Sequence, residues 1–83
     1  MDTVEFADGT AVQCGKFLFL PNLNVLYILI DGVSWQEAAS IFADEEKTKS
    51  ITYCGNTVTG YTHIDYMMAE AGGIKACLSP SRV

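Results

Sequence analysis

Residues 25–44 read VLYILIDGVSWQEAASIFAD, and this stretch decides the fold class. Val25 to Ile30 is an unbroken apolar run without period-two alternation, so it reads as a strand buried on both faces or covered by a neighbour. Asp31 and Gly32 end it. Ser34 followed by Glu37 fits a capping box, in which the serine side chain takes a backbone N–H three residues on and the glutamate reaches back. Trp35, Ala38, Ala39 and Phe42 recur at i, i+3, i+4 and i+7, one apolar stripe opposite Gln36, Glu37 and Ser40. The spacing predicts a short helix that ends near Ala43 or Asp44 and docks through those four residues.

Outward from this pair of elements the chain reads as strands. Val4 and Phe6 alternate with Thr3 and Glu5, and Asp8-Gly9 precedes a second segment, Thr10 to Cys14, a pattern that predicts a tight type I′ hairpin. Phe17 to Leu20 is apolar until Pro21, with a turn over Asn22 to Asn24. Asp44 to Ser50 is polar and aperiodic, a solvated connection or a last helical turn. Ile51 to Cys54 and Thr57 to Tyr61 flank Gly55-Asn56, a turn suited to type II′. Ile64 to Met68 and Ile74 to Leu78 flank Gly72-Gly73 as a last hairpin. The expected architecture is α+β: an antiparallel sheet or small open barrel of about six strands with one short helix across it. It forms a single domain over residues 1–83, with a flexible polar tail over 79–83.

A chain of 83 residues removes only about 60% of its unfolded surface from water on folding. Yet 49% of its residues are hydrophobic, more than one four-residue helix stripe and a thin core absorb. The surplus implies cover from a protein partner or from self-association, and the candidate interface is Phe17, Phe19, Val25, Tyr27 and Leu29. A net charge of −5, with five Lys and Arg, argues against nucleic acid, whose binding rests on cations. No apolar run approaches the roughly 20 residues of a membrane-spanning helix. The N-terminus, opening with Asp2 and Glu5, does not resemble a signal peptide, so an intracellular location is expected.

The residues that could carry chemistry read more simply as structure. Cys14, Cys54 and Cys77 fall among strand residues and are expected to be reduced, buried thiols. Together with His63 they have zinc-ligand types but no paired spacing such as C-x2-C. His63 with Asp65 could form part of a Cys-His-Asp site, but an acidic chain offers little to stabilise a thiolate. Glu45 and Glu46 sit in a charged loop, and the glycines from Gly55 to Gly60 lack the following helix that a phosphate cradle needs. No catalytic residue, cofactor or metal is therefore expected, and the chain is read as a binding protein, not an enzyme.

The order of an apolar strand (Val25 to Ile30), Ser34-Trp35-Gln36-Glu37-Ala38-Ala39, Ile41-Phe42, Asp44, Ile51-Thr52-Tyr53 and Gly60-Tyr61-Thr62 resembles small uncharacterised proteins of phages and prophages of Gram-positive gut bacteria. Those proteins are associated with the tail-morphogenesis region. The likeness runs from Val25 to Leu78 and leaves out the N-terminal hairpin. It implies a structural or virion-assembly role, in the cytoplasm of a bacterial host or in the virion. The alternative is a small acidic inhibitor from a phage or mobile element that binds a host defence or regulatory protein.

Overall fold

Seven strands pair antiparallel in the order β5-β4-β1-β2-β3-β7-β6. In chain order they are β1 (Thr3–Phe6), β2 (Ala11–Leu20), β3 (Val25–Asp31), β4 (Ser50–Tyr53), β5 (Asn56–Thr59), β6 (His63–Glu70) and β7 (Gly73–Ser79). Two short helices, α1 (Trp35–Ala43) and α2 (Glu45–Thr48), lie between β3 and β4. The computed structural model describes residues 2–70 and 72–80; residues 81–83 of the expected tail lie outside these, and Ser79 belongs to β7. The sheet is not closed into a barrel, since β5 and β6 form its two ends. The content is mostly β, with one strand and one helix more than the sequence suggested.

The core lies on one face of the sheet. Val4, Phe6, Cys14, Leu26, Ile28, Ile30, Ile51, Val58, Ile74, Ala76 and Leu78 point inward, and Ala38, Ile41 and Phe42 of α1 cover them. Phe42 meets Phe6 edge to face, ring centroids 5.8 Å apart. The capping box is present: Glu37 N–H donates to Ser34 Oγ at 3.1 Å and Ser34 N–H to Glu37 Oε1 at 3.2 Å. The expected stripe is corrected at two positions. Trp35 is 49% exposed and Ala39 only partly buried, because the helix starts from exposed Ser34 and its first turn stands clear of the sheet. Ile41 takes the place that the stripe gave to Trp35.

β3 is not buried on both faces. Leu26, Ile28 and Ile30 are fully buried, whereas Val25, Tyr27, Leu29 and Asp31 stay partly exposed. The strand most nearly buried on both sides is β7, whose outward residues are small or flanked by rings.

Turn chemistry departs from the sequence reading in two hairpins. Between β1 and β2 only Gly9 takes positive φ (92°), so Asp8-Gly9 is not a type I′ pair. The four-residue loop is closed by Phe6 N–H donating to Thr10 O at 2.7 Å and Thr10 N–H donating to Asp8 Oδ1 at 3.0 Å. Between β4 and β5 the turn is Cys54-Gly55, at φ 50° and 80°, the type I′ signature. Shifting it one residue earlier pairs Tyr53 with Asn56 and Ile51 with Val58, which puts both apolar partners on the core face. The charged connection folds as α2: Asp44 Oδ1 accepts Glu46 N–H, Thr48 is fully buried, and Lys47 ion-pairs with Asp8.

Two bulges set which side chains face out. Pairing shifts at Gly15, between Cys14 and Lys16 of β2, and at Asp65, between Ile64 and Tyr66 of β6. Each extra residue reverses the alternation beyond it and bends the strand. Past Gly15, Phe17 and Phe19 turn inward, and β2 crosses over the β4–β5 hairpin. Phe17 stacks on Tyr53 (centroids 4.9 Å, planes 11° apart) and Phe19 meets Tyr61 edge to face at 5.2 Å.

Candidate interaction surface

The face of β2, β3, β7 and β6 turned away from the core carries the largest run of exposed apolar side chains on strands. Register fixes its rows. Leu18, Tyr27, Cys77 and Tyr66 stand side by side across the four strands, and Lys16, Leu29, Lys75 and Met68 form the next row. Leu20 and Val25 extend it at one end, while Asp31, Gly73 and Glu70 border the other. Leu18 is 45%, Met68 44% and Tyr66 43% exposed, where strands covered by their own chain would be buried. Lys75 lies over the Tyr27 ring, Nζ 4.7 Å from its centroid, so its stem covers apolar surface and its ammonium gains a cation–π contact.

Asp31 sits at the border with its carboxylate over the backbones of β2 and β7. A side chain at Gly15 or Gly73 would run into it. The glycine in the β2 bulge therefore serves close approach as well as bending.

At the opposite end of this face, His63, Asp65, Cys77 and Ser79 come together. Ser79 Oγ donates to Asp65 Oδ1 at 3.2 Å, His63 Nε2 lies 3.4 Å from Asp65 Oδ1, and Cys77 Sγ lies 3.9 Å from Asp65 Oδ2. Burial first, and then the Asp65 carboxylate, push the Cys77 thiol up. It stays protonated at neutral pH, the opposite of what nucleophilic attack or metal ligation requires. Burial likewise raises Cys14, whose Sγ donates to Lys16 O. Among the described residues, no three His, Cys, Asp or Glu side chains gather as a metal site would need.

The five residues of the expected interface do not share one surface. Val25, Tyr27 and Leu29 lie on the outward face, but Phe17 and Phe19 point inward, because the Gly15 bulge reverses the alternation between them and Cys14. They line an open cleft of about 510 Å³ with Tyr53, Cys54, Asn56, Thr57 and Val58. Tyr53 OH donates to Asp2 Oδ2 at 3.1 Å, and this bond, with burial second, pushes the phenol up to about 12. Cys54 is exposed at the turn, contrary to the expectation that all three thiols are buried. Sequence reasoning missed Leu18, Tyr66 and Met68; their only signal was membership of apolar strands, without a mark of which side they face.

Compared with protein-family models, curated proteins and solved structures, the chain matches none. Among the described residues, no helix is long and apolar enough to cross a membrane.

Proposed function

We propose that this chain is a non-enzymatic structural or assembly protein that acts through protein–protein contacts on its outward sheet face, within a phage or prophage particle. The observation that carries the contact role is that Leu18, Tyr66 and Met68 stand exposed on this face, with half-buried Tyr27 and Leu29 between them in the same rows. Two further features support it: the thiols that adjoin polar groups are held protonated, and the aromatic cleft holds no charged side chain among its lining residues. The resemblance of Val25 to Leu78 to phage and prophage proteins supplies the setting. The test is to express a tagged chain during prophage induction and fractionate the lysate. Co-sedimentation with particles, and label on tails in electron micrographs, is the expected result. Recovery only in a complex with a free host protein would favour the inhibitor reading, in which the acids away from this face make the contact.

A further inference from the structure

We infer that the occupant of the outward face is a second copy of this chain, stacked face to face about a two-fold axis. The inference rests on the contact role proposed above and names its partner. Among the described residues, α1 packs on the core side of the sheet and the rings of Phe17 and Phe19 turn to Tyr53 and Tyr61, which leaves Leu18, Tyr66 and Met68 of this face 43–45% exposed. Charge then selects the occupant.

The protein carries ten Asp and Glu against five Lys and Arg, so two copies repel across most orientations. On this face the balance differs. Lys16 and Lys75 stand in the row beside Leu29 and Met68, while Asp31 and Glu70 border that row and Asp65 sits at the far end. Neither lysine forms an ion pair among the described residues; the ion pairs there are Lys47–Asp8, Lys49–Glu46 and His63–Asp65. Two of five cations and three of ten acids thus share the most apolar strand face, leaving it near neutral while the remainder of the chain holds most of the negative charge. A basic partner would be drawn to the other surfaces, and an acidic partner meets least repulsion here. Another copy is an acidic partner that also brings a matching apolar face with both signs of charge, Lys16 and Lys75 in one row and Asp31 and Glu70 along its border, as an isologous contact requires.

Sheets stacked this way lie about 10 Å apart and interdigitate side chains. Four strands of seven residues span roughly 20 by 23 Å at ordinary strand spacing and rise. That is below the ~800 Å² per partner of a standard interface, so the dimer is a weak one.

The experiment is sedimentation velocity on the full chain from low micromolar to near-millimolar concentration, beside Leu18→Glu, Met68→Glu and Trp35→Glu. All three replaced side chains are 44–49% exposed, so each variant should fold, and circular dichroism confirms that it has. The parent should pass from one chain to two as concentration rises. Leu18→Glu and Met68→Glu should weaken that association by about tenfold or more, since each buries a carboxylate in the contact, and Trp35→Glu, on the helix side, should leave it unchanged. Contacts between labelled and unlabelled copies in isotope-filtered spectra, from the Leu18 and Met68 methyl groups to the Tyr27 and Tyr66 rings, give the same reading without mutation. A parent that is monomeric throughout overturns the inference, as does a dimer that survives both face variants or depends on Trp35. If the chain is monomeric yet co-sediments with particles, only the second copy is lost and the assembly role stands; if it dimerises but never joins particles, the reverse holds.

Discussion

The phenyl ring of Phe17 lies flat against the phenol ring of Tyr53, although β1 separates their strands in the sheet. The stack holds the second half of β2 over the β4–β5 hairpin, and Phe19 on Tyr61 extends the contact. Phe17→Leu keeps apolar volume and removes the ring pair, so it should destabilise by roughly 0.5–1.5 kcal/mol. Urea unfolding measures the loss. Unchanged stability would mean that the crossing does not depend on this pair.

Phe42 is fully buried between helix and sheet, and truncating it leaves a cavity against Phe6. Phe42→Ala should cost about 3–5 kcal/mol, and Ser34→Ala, which removes the cap, about 1 kcal/mol. Trp35→Ala should cost much less than Phe42→Ala, because its ring is half in solvent. Thermal melts of the three variants test this order.

Cys54 holds a left-handed conformation (φ 50°) at the first position of a type I′ turn, where asparagine is favoured. Cys54→Asn should therefore stabilise the chain, by up to about 1 kcal/mol. The same geometry exposes the only accessible thiol of the three. A thiol-specific reagent should label one cysteine in the folded protein, and Cys14 and Cys77 only after denaturation. Fast labelling of all three without denaturant would contradict the burial of Cys14 and Cys77. A chelator should leave the melting temperature unchanged.

Stability should fall at both extremes of pH. Lys47, donating to Asp8, holds that carboxyl well below its ordinary 3.8, with Thr10 N–H adding to the effect. The native state thus favours the ionised form, and the contribution is present above about pH 4 and lost as pH drops below it. Cys14 and Cys77, raised by burial from 9.0, act in the other direction. Above pH 9 the unfolded chain releases protons that the folded one retains, so stability declines with rising pH, and Tyr53 extends the decline toward pH 12. Melting temperature against pH should show a plateau between these limits. In Asp8→Asn the acid-side fall should be shallower; an identical fall would remove the ion pair from the explanation.

Elements governed by near neighbours were legible in the sequence. The Ser34–Glu37 cap and the strands around residues 4, 28, 51, 58 and 76 follow from local hydrogen bonding and apolar runs, which need no knowledge of distant residues. The approximate placement of α1 belongs with these. Its rotation does not, because which three of its apolar residues reach the core depends on where the sheet lies.

What the tertiary structure decided is which side of each strand faces water. A strand's side chains alternate with period two, so one inserted residue reverses every position beyond it. The bulges at Gly15 and Asp65 do this, turning Phe17 and Phe19 to the inner side, where Phe17 is partly buried and Phe19 stays 38% exposed, and Lys16, Leu18, Tyr66 and Met68 to the outer one. Their placement depends on pairing with β3 and β7, each a separate stretch of chain. The Cys54-Gly55 turn follows the same logic, since its register is set by Ile51 meeting Val58 over the core. Composition determined a high apolar content; only long-range strand pairing determined that Leu18, Tyr66 and Met68 stand exposed together on the face of β2, β3, β7 and β6, while Phe19, Leu23 and Trp35 are exposed elsewhere.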